Sequence, residues 1–230
     1  AEQYERAGDL PKACKLLIAA LKAEMQAFNR DTAKKLLGKV SGLIDEGTHD
    51  SGRRVAHLLE RVEFRALSAE MCRIDGSMER ALAHLDAGFK LMNETPERRV
   101  PPMREPMDHV EVALWKARGA IHRLQGHLEE AHHDFDAAAV ILLRQNPVDE
   151  ASLIDVRASI ASILSRSDRK DEAFHLSREI VETYDKCELK DGNLGQAVAR
   201  HFDIYGWIKF QRDKSHASAL SYFERGRQLR

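Results

Sequence analysis

The chain has 230 residues, of which 43% are apolar, 32% charged and only 6% aromatic, a balance that suits helices packed through Ala and Leu rather than a β-sandwich. Its 36 basic and 37 acidic residues nearly cancel, which excludes a whole-chain electrostatic pull toward nucleic acid or a membrane surface. No apolar run approaches the roughly 18 residues of a membrane span and no signal peptide opens the chain, while Cys14, Cys72 and Cys187 are widely spaced with no Cys-x-x-Cys pair. The expectation is a reduced, cytoplasmic protein in which two cysteines are small buried hydrophobes and the third is a loop thiol.

In chain order, residues 1–8 read as the tail of a helix that closes at Gly8-Asp9, with Asp9 as N-cap and Pro11 in the first turn of the next helix. Ala13, Leu16, Leu17, Ala20 and Leu21 keep helical spacing, and this segment runs to Phe28. It fits equally as the second helix of one hairpin, the first of the next, or both. Ala33, Leu36, Leu37, Val40, Leu43 and Ile44 form another apolar face, and residues 47–52 are loop by composition. A helix over 53–74 carries Val55, Leu58, Leu59, Val62, Leu67 and Met71. Gly76 turns the chain, Ser77 serves as N-cap, and Ala81, Leu85 and Gly88 line the return helix.

Residues 94–109 hold four of the six prolines and cannot continue either neighbouring helix. Arg98, Arg99 and Arg104 interleave there with Val100, Met103 and Met107, so the segment is either a spacer or an extended element that docks on a partner or in this chain's own groove. From His109 to Pro147 a whole hairpin is written out: helix one over 109–125, a turn at Gly126, helix two over 128–145. Trp115, Gly119, His122, Gly126, Ala131, Phe135 and Ala138 alternate large with small, as closely crossing helices require.

This stretch resembles a tetratricopeptide (TPR) unit, whose pattern is Trp, two residues, Leu-Gly, two residues, Tyr, then Ala, three residues, Phe, and a later Pro. Arg118 and His122 stand where the family has Leu and Tyr, and Pro147 comes late. Further copies follow. Asn146 is read as the cap of a helix with Pro147 at its first position, Asp149 near its N-terminal dipole, and Leu153, Val156, Ile160, Ile163 and Leu164 as its buried stripe, with Ala161 at the close approach. The return helix places Ala173, Ser177 and Ile180 in the series, with Ser177 too small for the large place. After a loop at 185–193, Leu194, Val198, Phe202, Tyr205 and Ile208 face inward, and Ala219, Phe223 and Gly226 complete the last copy. The key alanines at 81, 131, 173 and 219 lie 50, 42 and 46 residues apart, longer than the usual period of about 34.

The resemblance implies an all-α fold, an α-solenoid of stacked antiparallel helical hairpins in a right-handed superhelix, with the first helices lining a concave groove. The expected organisation is one TPR-like domain over 1–230: a degenerate repeat in 1–50, clearer repeats at 53–93, 109–146, 148–185 and 192–230, and a Pro-rich loop at 94–108. The chain opens without Met inside one helix and stops inside another, so it reads as a fragment of a longer protein. Its N-terminal run is similar in rhythm to the helical arms of bacterial signal-transducing proteins that carry a P-loop ATPase or kinase domain upstream.

Chemistry is scarce. Gly42, Gly47 and Gly52 are not followed by Lys-Ser or Lys-Thr, so no phosphate loop and no cofactor are expected. No nucleophile stands beside a base, so no catalytic residue is expected. His122, His127, Glu129, Glu130, His132, His133, Asp134 and Asp136 form a dense cluster, but His127 and His132 are five apart and Ala131 and Phe135 claim the inward face. That cluster is read as a wet helix face, or one turned to a flanking helix, and not as a metal site.

By helix phase the groove should hold Glu70 and Arg73, then Lys116, Ala120 and Arg123, then Ser162 and Arg166, then Asp203 and Trp207. Arg73, Arg123 and Arg166 recur on corresponding turns and suit bidentate binding of an acidic or phosphorylated segment, unless they pair locally with neighbours such as Glu70. The Lys-Asn-Arg clamp by which some TPR proteins hold chaperone tails is missing, because Ala120 stands where its Asn would be. Near-neutral charge and irregular repeats count against RNA. The expected function is a protein-interaction scaffold for a peptide, a partner protein or another domain of the parent chain, acting as a regulatory arm of a signalling protein. The alternative is a sensor that closes on a small molecule or peptide near Trp207, Phe210 and Tyr205 and controls an attached ATPase or kinase.

Overall fold

In the computed structural model the described residues are Gln3 and residues 10–47, 58–95, 104–186 and 192–229. They form ten helices and no strand: α1 Leu10–Gln26, α2 Arg30–Gly47, α3 Leu58–Ile74, α4 Met78–Asn93, α5 Arg104–Gln125, α6 Leu128–Leu142, α7 Glu150–Arg166, α8 Lys170–Lys186, α9 Gly192–Asp213 and α10 His216–Gln228. The expected helix tail at 1–8, the Asp9 cap, the loop at 48–52, the helix start at 53–57, residues 96–103 and Cys187 lie outside the described residues.

The helices gather into two compact units, residues 1–117 and 118–230, whose boundary falls within α5. In the first unit α1 packs on α2, α3 packs on α4, and α1 and α2 both touch α3. Cys14, Leu17, Ile18, Val40 and Phe64 form one buried cluster there, and Leu21, Ala33 and Met71 form another. Burial pushes the Cys14 thiol up to about 11, so it behaves as a small hydrophobe. Gly88 lets α4 approach the Leu114 side chain, which a β-carbon there would meet at 3.0 Å.

In the second unit α7 touches α6, α8 and α9, and α9 also packs on α8 and α10. The alternation of large and small residues has its physical basis at Gly119, where a β-carbon would come within 2.9 Å of the Phe135 ring. Gly206 repeats the arrangement against Phe223 at 2.9 Å, and Ala131, Ala161, Ala173 and Ala219 are all buried. These close crossings allow the apolar stripes Leu153, Val156, Ile160, Ile163, Leu164 and Leu194, Val198, Phe202, Tyr205, Ile208 to be buried throughout.

Several boundaries differ from the sequence expectation. Helix α5 begins at Arg104, not 109, because Pro106 sits in its first turn, where a missing N–H costs no intrahelical bond. Helix α6 stops at Leu142 instead of 145. The cap of α7 is Asp149, whose carboxylate accepts from Ser152 N at 3.0 Å, and not Asn146. Ser77 occupies the N-cap position of α4 but makes no side-chain cap bond.

Two buried polar groups replace hydrophobic contacts in the second unit. Where the TPR pattern has Leu and Tyr, Arg118 and His122 converge on Asp134 of α6, which is 1% exposed. Arg118 Nη2 donates to Asp134 Oδ1 at 2.7 Å, Arg118 Nε lies 3.1 Å from the same oxygen, and His122 Nδ1 is 2.9 Å from Asp134 Oδ2. Asp134 is therefore buried against the preceding helix, whereas His127, Glu129, Glu130, His133 and Asp136 of that sequence cluster are exposed, as a wet helix face requires. The second case is Ser177, too small for the position that Phe135 fills in the preceding hairpin. His201 of α9 packs beside it: both are fully buried, and His201 Nε2 donates to the Ser177 carbonyl at 3.2 Å. His201 also stacks on Tyr205, while its Nδ1 finds no partner among the described residues. Burial lowers its pKa to about 4.

Asp134→Ala strands the Arg118 charge and is expected to destabilise the chain by about 3–5 kcal/mol, whereas Arg118→Leu/Asp134→Ala recovers most of the loss, as thermal melting would show. His201 titrates at its ordinary value when unfolded and near 4 when folded, so below about pH 6.5 protons favour the unfolded chain. Stability should hold above that pH and fall as the pH drops toward 4. His201→Phe should flatten that part of the melting-temperature profile.

Candidate functional site

The first concave feature arises at the turn between α1 and α2. Three helix ends close with the same hydrogen bonds: Ser77 N donates to Cys72 O at 2.8 Å, His127 N to His122 O at 2.9 Å and Asn29 N to Glu24 O at 2.9 Å. The residue before each donor must adopt the left-handed conformation. Gly76 and Gly126 do so at φ +77° and +83°, and at the α1–α2 turn it is Phe28, at φ +57°. A β-carbon in that conformation costs roughly 1–2 kcal/mol, and Phe28, 89% exposed, recovers little of it by burial.

Phe28 stands at the edge of a cavity of about 360 Å³ lined also by Lys22, Met25, Arg30, Leu67, Met71 and Arg73, with Ile74, Ala33, Gln26 and Glu70 completing the wall. Its floor continues the Leu21, Ala33 and Met71 cluster, against which Met25, Leu67 and Ile74 pack. Its rim is cationic. Lys22 pairs with Glu63, and Arg73 forks onto Glu70 through Nε at 2.7 Å and Nη2 at 2.6 Å. Those hydrogen bonds hold the Arg73 guanidinium above its ordinary pKa. Arg30 is exposed and has no ion-pair partner among the described residues.

The expected groove residues divide between the units: Glu70, Arg73 and Lys116 in the first, and Arg123, Ser162, Arg166, Asp203 and Trp207 in the second. Of these, Glu70 and Arg73 meet as the pair just described, the local pairing weighed as the alternative to ligand binding. Arg73, Arg123 and Arg166 each occupy the last turn of a first helix, where a cation is also favoured by the helix dipole. Lys116, Arg123 and Asp203 are engaged by other groups, Ser162 is half-buried, and Arg166 is exposed with no ion-pair partner among the described residues.

A second cavity, of about 480 Å³ and almost wholly apolar, lies in the last hairpin and is lined by Trp207, Phe210, His216, Ala219, Leu220 and Phe223. Trp207 is 51% and Leu220 55% exposed. Tyr205, expected beside them, is buried elsewhere, its ring 4.6 Å from that of Tyr222, because it lies on the inward face of α9 and Trp207 does not. Phe28, Arg30 and Leu220 escaped the sequence reading. The one signal available for Phe28 was a helix stop without a glycine.

Among the described residues no cluster of His, Cys, Asp and Glu is arranged to hold a metal ion, and no helix is long and apolar enough to cross a membrane. His132 faces Asp136 one turn on, at 3.0 Å.

No family model matches the chain, and no curated protein matches it in sequence. Its fold does have counterparts among solved structures. It is similar to the nearly identical TPR-like repeats of a Podosopora anserina protein described as a kinesin light chain, at TM-score 0.64 and 15% identity over 95% of either chain. A glutamine-to-methionine variant of that protein gives 0.65 with the same identity and coverage. BtubC (BKLC) from P. vanneervenii superposes at TM-score 0.69 with 11% identity, over 98% of this chain and 83% of its own. The chain therefore has the all-α, helical-hairpin solenoid fold of TPR-like repeat proteins.

Trp207 is half exposed, whereas the other tryptophan, Trp115, is more sheltered with its ring 4.5 Å from Phe89. Trp207→Phe should remove most of the tryptophan emission accessible to a collisional quencher such as acrylamide, leaving the shielded emission of Trp115.

Proposed function

We propose that this chain is a protein-interaction scaffold that holds an acidic or phosphorylated peptide, or a partner domain, against the first helices of its hairpins, and that it serves as a cytoplasmic regulatory arm of a larger signalling protein. The observation that carries the reading is the recurrence of an arginine in the last turn of successive first helices in a TPR-like fold: Arg73, Arg123 and Arg166. A guanidinium presents two parallel donors to a carboxylate or phosphate, so a repeated arginine suits an extended anionic segment better than a lysine would. In the second unit the reading names Arg123, Ser162, Arg166, Asp203 and Trp207 as contacts, and in the first Glu70, Arg73 and Lys116. The near-neutral net charge fits recognition by local patches and gives nucleic acid no general attraction.

A second reading is favoured by the apolar cavity beside Trp207. A space of about 480 Å³ is within the range of small-molecule sites, so a hydrophobic ligand entering there would make the chain a sensor that controls an attached ATPase or kinase. Such a ligand would still shift the Trp207 emission of Arg123→Glu/Arg166→Glu, in which an anionic peptide would no longer bind.

For the scaffold reading, the test is binding of acidic and phosphorylated peptide pools to the intact chain and to Arg123→Glu/Arg166→Glu, followed by fluorescence anisotropy. Losing two charge-assisted contacts of roughly 1.5–3 kcal/mol each should weaken binding by at least about a hundredfold, with the helical circular dichroism unchanged. Equal affinity in the variant would overturn the assignment.

A further inference from the structure

We propose that the cavity edged by Phe28 is a second recognition pocket, built to seat one apolar side chain of a peptide whose neighbouring residues are Asp or Glu. The inference deepens the scaffold reading by adding a site and a partner chemistry in the first unit, on residues other than Arg123 and Arg166.

Three observations converge on it. The turn that carries Phe28 uses the same hydrogen bonds as the turns of Gly76 and Gly126, so glycine would serve the fold there without strain. Phe28 nevertheless sits at positive φ with its ring 89% exposed, so neither the backbone nor burial in this chain accounts for an aromatic at that place. A ring edging a cavity is accounted for by what the cavity takes in. The cavity itself is the second observation: Met25, Leu67, Met71 and Ile74 give it an apolar floor, and the two unbranched methionines can adapt to side chains of different shape. Its volume of about 360 Å³ admits a large aliphatic or aromatic side chain together with part of its flanking backbone.

The third observation is charge. Three cations and one carboxylate line the cavity, and that carboxylate, Glu70, is already forked by Arg73. Arg30 has no ion-pair partner among the described residues, so it is placed to meet a carboxylate beside an inserted side chain. The same sign argues against Val100 and Met103 of this chain's own Pro-rich stretch as the inserted residues, because Arg98, Arg99 and Arg104 are their nearest charged neighbours in sequence. A partner segment of opposite charge is the complement that the rim calls for.

The test is selection of a random peptide display library on the full chain, with Phe28→Gly and Arg30→Glu as comparison baits. The expected result is enrichment of peptides with a Leu, Met or aromatic residue flanked by Asp or Glu. Their affinity should fall at least about tenfold with either variant and stay unchanged with Arg123→Glu/Arg166→Glu. Phe28→Gly should at the same time raise the melting temperature, since it relieves the turn. The idea is overturned if no enriched peptide depends on Phe28 and Arg30, if basic peptides bind equally well, or if Phe28→Gly lowers the melting temperature. Loss of the Arg123-dependent binding alone would count against the groove of the first helices and leave this pocket standing.

Discussion

The close crossing of paired helices is the constraint from which the rest of this structure follows. Where Gly119 faces Phe135, and Gly206 faces Phe223, a single added methyl would displace an aromatic ring. That proximity lets short apolar stripes of Ala, Leu, Ile and Val exclude water with few aromatic residues, which is why a chain that is 32% charged still builds continuous cores. It also settles which side chains are left over. With the small and large residues committed inward, Arg166, Trp207 and the rim around Arg30 remain on surfaces that a partner can reach.

The same crossing tolerates polar substitution where geometry completes the hydrogen bonds. Arg118 and His122 break the expected Leu and Tyr, yet both turn onto one buried carboxylate, so a departure from the hydrophobic pattern becomes a satisfied ion cluster. Ser177 leaves room that the His201 ring occupies from the following helix, at the expense of an imidazole nitrogen without a partner among the described residues. The two cases differ in kind. One exchanges hydrophobic contact for charge pairing, and the other accepts a buried base that acid would destabilise.

The proposed binding surfaces draw more on helix ends than on helix faces. The turns after α1, α3, α5 and α9 pass through the left-handed region, which is taken by glycine at Gly76 and Gly126 and by Lys214 after α9. At the α1–α2 turn an exposed phenylalanine takes that place beside a cavity with a cationic rim, while the last-turn arginines of α3, α5 and α7 collect at the corresponding ends of their helices. An interaction protein assembled from such units can vary its recognition at the turns without disturbing the crossings that hold the hairpins together.

The helical class, the paired arrangement and most of the core were legible from residue order, because the spacing of Ala131 and Phe135 against Trp115 and Gly119 is imposed by local helix geometry. Periodicity also identified the inward stripes of α7 and α9, since those faces have only one apolar side to bury. Tertiary structure alone decided what happens to polar residues and turns. Nothing in the sequence pairs Asp134 with Arg118, sixteen positions away, or brings the end of α1 beside the end of α3 to enclose the space next to Phe28. A side chain's helical phase is set by the residues around it in sequence, whereas its partner and its backbone strain are set by elements that only folding brings near.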